Sequence, residues 1–128
     1  MRGYTGTRWM ADGRGELSFG LGVAVLSATK ALDAVTTVVG LTAVDHLEEG
    51  NELVARTMAV LGVDVALVVI SVLTIAGITL STEAGRRLAA GQPDPSIEPA
   101  TVRLVGYGTP SLYHVGIATY NLILITGG

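Results

Sequence analysis

Charged and titratable side chains occur inside the apolar segments of this 128-residue chain, where they could bind or transfer an ion or a proton. Lys30, the only lysine, lies three residues before Asp33 in the first apolar segment, residues 17–44. Asp64 lies in the second segment and His114 in the third. A charge at the centre of a membrane helix costs ~2.5–3.5 kcal/mol on insertion scales. Side chains placed at such a cost need a structural or functional reason.

At 100° per residue, the polar side chains of each apolar segment fall on one face of a helix. The first segment has Lys30, Asp33 and Thr37 within one stripe, and the other two have polar residues seven positions apart. Because charged and amide side chains avoid lipid, we expect the three stripes to face one another. The predicted intramembrane polar network comprises Lys30, Asp33, Thr37, Asp64, Ser71, His114 and Asn121.

Two interpretations of this network are open. The first is packing, because hydrogen bonds between membrane helices contribute only ~0.6 kcal/mol each on average in one measured system and are common. The second is an ion or proton pathway, or a small polar binding pocket, in which His114 is the side chain that titrates near neutral pH. The packing interpretation is favoured because it accounts for every residue of the network.

The apolar segments predict an all-α integral membrane protein with a polar-lined interior and three transmembrane helices, at about residues 17–44, 53–80 and 105–126. About 20 residues suffice to cross a bilayer. The third helix is expected to start at Thr109 and Pro110, because threonine caps helices and proline fits the first helical position.

The loop between the second and third spans predicts a short interfacial helix at residues 82–90. Gly91 would end it, since glycine is favoured just after a helix. The chain has room for one domain only, a single transmembrane domain over residues 1–128.

Composition supports the membrane class and excludes several others. Hydrophobic residues make up 49% of the chain and charged residues 15%, whereas soluble domains carry about 25% charged residues. The net charge of −3 leaves no basic patch for nucleic acid, and the absence of cysteine excludes disulfides and thiolate sites. An acidic excess with one lysine among eight basic residues is typical of a GC-rich or halophilic source.

Basic residues are concentrated on one side of the predicted membrane. Six of the eight lie in the N-terminal tail or in the loop between the second and third spans: Arg2, Arg8, Arg14, Arg86, Arg87 and Arg103. The loop between the first two spans is acidic, with Asp45, Glu48, Glu49 and Glu52. The positive-inside rule therefore predicts a cytoplasmic N terminus and an outer C terminus, in a cell membrane or the membrane of a virion.

The sequence predicts neither an enzyme nor a cofactor or metal site. It contains no phosphate-binding loop, zinc motif, dinucleotide fingerprint or serine–histidine–aspartate arrangement. A Schiff base on Lys30 with Asp33 as counter-ion would require a chromophore, which three spans cannot enclose alone.

Small residues on the first span offer a surface for close helix packing. Gly20, Ala24 and Ala28 form a small-xxx-small ladder, a pattern that lets two helices approach closely. We therefore expect a structural or accessory subunit of a membrane assembly, acting through self-association or by binding to a larger complex. The alternative is an oligomeric ion or proton conductor that uses Asp33, Asp64 and His114.

The stretch LDAVTTVVGLTAVDHLEEGNELVARTM resembles a pattern in a family of small, uncharacterised membrane proteins found mainly in haloarchaea. The matching residues are Asp33, Thr36, Thr37, Gly40, Glu49, Asn51 and Glu52, within residues 30–80. The chain departs from the pattern because no proline follows Asn51. The resemblance implies a multi-pass membrane protein of archaeal lineage and carries no activity with it.

Overall fold

The protein is described by a computed structural model that covers residues 16–45, 47–94 and 96–127. These residues form four α-helices and no strand: α1 Phe19–Ala43, α2 Glu52–Leu61, α3 Val63–Ala90 and α4 Pro99–Gly127. The all-α prediction is confirmed. The arginines of the N-terminal tail, Arg2, Arg8 and Arg14, lie outside the described residues.

Polar caps and one glycine set the helix boundaries. The Ser18 hydroxyl accepts a hydrogen bond from the backbone N–H of Leu21 (3.1 Å) and begins α1. Asn51 caps α2 in the same way, because its side-chain oxygen accepts hydrogen bonds from the backbone N–H groups of Leu53 and Val54. Gly62 separates α2 from α3 with a φ of +85°, a conformation that favours glycine.

The three long helices form a bundle in which α1 and α4 run parallel. Gly22 near the start of α1 lies against Tyr107 near the start of α4, and Gly40 lies near Ile125 at their other ends. In contrast, α3 runs antiparallel to this pair and meets α4 where Gly106 lies against Thr82. At Gly22 and Gly106 the absence of a side chain permits the close approach of the facing residue.

The fully buried side chains of α3 lie near its two ends, and half-buried side chains lie between them. Its buried residues are Ala66 and Leu67 near the start and Thr82 near the end. The first two join Met58 of α2 in a small apolar core, against which half-buried side chains of α1 pack. Between residues 68 and 81 no side chain of α3 is fully buried.

Ion pairs hold the opposite end of the bundle, in a set of residues called here the end cluster: Glu16, Glu83, Arg86, Arg103 and Tyr107. Arg103 makes a bidentate pair with Glu83, with both N···O distances at 2.9 Å, and the Tyr107 hydroxyl donates to Glu83 (2.8 Å). Arg86 pairs with Glu16, and its hydrogen bond holds the pKa of that carboxyl below the usual value. The cluster joins α3, α4 and the residues before α1.

Two helices, α1 and α3, are long and apolar enough to cross a membrane, where the sequence predicts three. The helix α4 has ample length, at 29 residues, but is less apolar because it contains tyrosines, glycines, a proline and His114. By length and composition alone, membrane association is weakly indicated.

Three predicted boundaries are wrong. The second predicted span is interrupted, because Gly62 divides residues 53–80 between α2 and α3. The predicted interfacial helix at residues 82–90 is the last part of α3, since no proline or glycine turn precedes it. Pro110 lies inside α4, which begins eleven residues earlier at Pro99, the position that takes the role of first-turn proline.

The close approach at Gly22 generates a stability prediction. A Cβ atom there would overlap the ring of Tyr107, which is 1% exposed and therefore has little room to move. We expect Gly22→Ala to be less stable than the matched Gly20→Ala by about 1–3 kcal/mol, the usual cost of overpacking. A Cβ on Gly20 meets no atom within 4 Å. Unfolding in mixed detergent micelles measures the difference, and equal stabilities would contradict the packing described.

Candidate functional site

A group of polar side chains, the seam network, lies between the parallel helices α1 and α4. Its members are Lys30, Asp33, Thr36, Thr37, His114 and Asn121. At its centre one carboxylate oxygen, Asp33 Oδ2, lies 3.2 Å from Lys30 Nζ and 3.0 Å from His114 Nδ1. Lys30, Asp33 and His114 are 9%, 7% and 4% exposed, so three titratable groups are buried together.

Helical spacing explains why these side chains meet. The buried positions of α4 are Tyr107, Ser111, His114 and Ala118, which alternate in steps of four and three. This is the pattern with which one helix presents a continuous seam to a neighbour. Lys30 and Asp33 lie on the corresponding seam of α1.

Hydroxyl and amide groups extend the network toward the loop end of the bundle, the end next to loop residues 47–51. Thr37 donates to the backbone carbonyl of Asp33 (2.8 Å) and lies 3.4 Å from its Oδ1. Asn121 of α4 donates its amide N–H groups to the Thr36 and Thr37 hydroxyls, both at 3.1 Å. Thr36 in turn donates to backbone carbonyls of α1. Each of these threonines thus ties α4 to the backbone of α1.

The contact at Asp33 assigns the tautomer of His114. An ionised carboxylate only accepts hydrogen bonds, so Nδ1 carries the hydrogen and donates to Oδ2. In the neutral ring Nε2 is then a free acceptor. With Lys30 cationic, Asp33 anionic and His114 neutral, the buried group has no net charge, which is the least costly arrangement away from water.

A cavity of about 800 Å³ adjoins the seam network. Its floor includes Lys30, Asp33 and His114, and its far wall includes Ile70 and Thr74 of α3. Loop residues 47–51 line one end, where Glu48 is exposed, so the cavity reaches the surface there. The cavity thus lies between the seam network and α3.

The structure brings together five of the seven side chains predicted for the polar network and leaves two apart. Asp64 is exposed in the first turn of α3, where a carboxylate interacts favourably with the free N–H groups of the helix start. The Ser71 hydroxyl is buried, with no hydrogen-bond partner among the described residues. Both residues lie on the continuous helix α3, and because that helix starts at Val63, Asp64 is a first-turn residue and not part of the interior of a longer span.

The packing ladder predicted on α1 faces outward. Ala24 and Ala28 are exposed, and a Cβ on Gly20 would meet open space. These residues therefore leave a narrow groove on the outer surface of α1 and take no part in the bundle interior.

Sequence reasoning missed the end cluster and the cavity wall. Glu16 and Arg86 are 70 residues apart, so no local spacing could pair them. The three-residue spacing of Glu83 and Arg86 indicates a charged face of the helix. It does not predict that Glu83 pairs with Arg103 and Arg86 with Glu16. Thr74 lies in an apolar run with no periodic signal, and only the divergence of α3 brings it opposite the seam.

The site can offer hydrogen bonds to a molecule in the cavity, which Lys30 and His114 both line. Within residues 16–45, 47–94 and 96–127, no three histidine, aspartate or glutamate side chains are placed to bind a metal ion. Ser111 lies one turn from His114, and its buried hydroxyl has no partner in this part of the chain.

Removing one member of the central ion pair is expected to destabilise the protein. Asp33→Asn leaves the Lys30 ammonium buried without its counter-charge, and Lys30→Met leaves the Asp33 carboxylate without the lysine cation. Each should lower the free energy of unfolding by about 3–5 kcal/mol. The double variant should lose less than the sum of the two, as a double-mutant cycle measures.

The matched control for this cycle is Asp64→Asn, which changes an exposed carboxylate of the same type. We expect it to alter stability by no more than about 0.5 kcal/mol. Additive losses in the double variant, or a loss in the control equal to that of Asp33→Asn, would show that the pair is not coupled.

Comparison with known proteins gives no further guidance on this site. No protein-family model, no curated protein and no solved structure matches the chain. The resemblance of residues 30–80 to small haloarchaeal membrane proteins therefore stays a prediction.

Proposed function

We propose that this protein is a small multi-pass membrane protein that acts as a structural or accessory subunit of a membrane assembly. The observation that carries the proposal is an inverted distribution of polarity. Lys30, Asp33 and His114 are buried, whereas large apolar side chains are exposed along every helix. In water both halves of this arrangement are costly, but in a bilayer the lipid takes the place of the apolar core.

The same reasoning supports α4 as a third membrane span. Its polar residues Ser111 and His114 face α1, while its exposed positions include Leu112, Leu122 and Ile123. A hydropathy average over α4 includes its buried polar face, although lipid would not contact that face. The lipid-facing surface alone is apolar, and 29 residues exceed the length that a span requires.

The alternating directions of α1, α3 and α4 are compatible with three crossings. With the end cluster and Arg87 in the cytoplasm, residues before α1 lie inside and the C terminus lies outside. The ten-residue helix α2 is too short to cross and carries the exposed charges Glu52 and Arg56, so it would lie at the outer interface.

Self-association or binding to a larger complex is the role that the outer surface favours. The groove at Gly20, Ala24 and Ala28 lets another helix approach closely, which is how helices associate in lipid. The surroundings of this groove, such as Leu21 and Leu32, are exposed and apolar.

We expect the protein to form dimers or larger complexes in mild detergent, as measured by light scattering at the exit of a sizing column. Ala24→Leu should shift the distribution toward the monomer, because the larger side chain fills the groove. The control is Ala76→Leu, at an exposed position of α3. A parent protein that is strictly monomeric, and that co-purifies with no membrane partner from its native host, would contradict the proposal.

A second candidate function is an oligomeric ion or proton conductor, favoured by the cavity that connects Asp33 and His114 to the loop end. The sequence-based version of this hypothesis also used Asp64. That side chain is exposed and does not line the cavity, so the pathway is now proposed to depend on Asp33 and His114.

If the protein conducts protons, Asp33→Asn in liposomes should reduce flux to the level of protein-free vesicles, while Asp64→Asn should leave flux at the parent level. A pH-sensitive dye inside the vesicles measures both. Absence of flux in the parent protein would exclude conduction. Flux that survives Asp33→Asn would exclude this pathway.

A further inference from the structure

Two groups on the cavity floor have hydrogen-bonding capacity that the described part of the chain does not use. The Lys30 ammonium carries three N–H donors, and one protein acceptor, Asp33 Oδ2, lies within hydrogen-bond distance. His114 uses Nδ1 for the same carboxylate, which leaves Nε2 as an acceptor. A donor and an acceptor thus lie side by side on one wall of the cavity.

Charge selects the kind of head group that these two groups can take. The opposite charges of Lys30 and Asp33 compensate each other. An anionic head group would add an uncompensated negative charge and would pass Glu48 and Glu49 at the loop end. A cation would compete with Lys30 for the Asp33 carboxylate. A neutral carbonyl or hydroxyl oxygen meets neither obstacle, because it accepts from Lys30 and, when it carries hydrogen, donates to His114.

The walls of the cavity select a lipophilic body for the same molecule. Away from the charged loop residues, aliphatic side chains line the cavity beside the polar floor, with Leu67 and Ile70 on α3 and Ile117 and Leu124 on α4. A volume of about 800 Å³ falls in the range of sites for small organic ligands, about 300–1,000 Å³.

Access to the cavity is also open to a molecule dissolved in lipid. Tyr113 and Tyr120 line the cavity and are 64% and 59% exposed. We take this wall of α4 as the side on which the cavity opens toward the bilayer.

We propose that this cavity binds a neutral, membrane-soluble amphiphile whose carbonyl or hydroxyl head group contacts Lys30 and His114, the chemical class of alkylated quinones and quinols. The inference rests on the proposed membrane location and not on the proposed assembly. The proposed structural role does not itself require a ligand.

The single lysine gives a direct readout of binding. Protein labelled with ¹³C at the lysine Cε and placed in lipid nanodiscs has one such signal, that of Lys30. Titration with a decyl-substituted benzoquinone should shift this signal saturably. Decylbenzene, which has the same chain but no oxygen, should leave it unchanged.

Two variants on α3 separate cavity binding from partition into lipid. Thr74→Phe fills the cavity from its far wall and should weaken the apparent affinity about tenfold or more through steric overlap. Leu73→Phe adds the same ring at a neighbouring position that is 67% exposed, and should leave the affinity unchanged.

Three results would overturn the inference: no saturable shift, an equal shift in Thr74→Phe and the parent, or tighter binding of decanoate than of the quinone. A monomeric protein that still binds the quinone would count against the assembly and leave this site intact. Release of the protein from membranes by alkaline carbonate would instead remove the membrane location on which both depend.

Discussion

The bundle depends on one carboxylate oxygen, Asp33 Oδ2, which accepts from a lysine of its own helix and a histidine of the neighbouring helix. If that oxygen were absent, the ammonium would be buried without a counter-charge and the imidazole would lose the partner that fixes its tautomer. The parallel pairing of α1 and α4 is arranged around this contact. Near one end of the pair, Gly22 lets α1 approach the ring of Tyr107 on α4 more closely than any larger residue would.

In the membrane location that we propose, the surrounding lipid changes which interactions specify the fold. Apolar side chains gain little by packing against one another where lipid tails are equally apolar, so hydrogen bonds and close backbone contacts specify the arrangement. The seam network and the end cluster supply such contacts at two levels of the bundle. Tyr107 links α1 to the end cluster, because its ring packs on Gly22 while its hydroxyl donates to Glu83.

Periodicity within a helix was readable from the sequence, whereas relations between distant segments were not. Lys30, Asp33 and Thr37 share a face of α1, and His114 and Asn121 share a face of α4, as their spacing indicates. The break at Gly62 could not be predicted from the sequence, because an isolated glycine is compatible with a continuous membrane helix. That break makes Asp64 a first-turn residue at the start of α3. The end cluster could not be predicted because Glu16 and Arg86 are 70 residues apart.

The attachment of α3 at its two ends has a mechanical consequence. The span from residue 68 to residue 81 has no fully buried side chain to hold it against its neighbours. Half-buried side chains lie on one face of this segment, and the Ser71 and Thr79 hydroxyls are enclosed with no hydrogen-bond partner among the described residues. Because local stability follows the number of buried apolar contacts, we expect the middle of α3 to be the part of the bundle that is held least firmly.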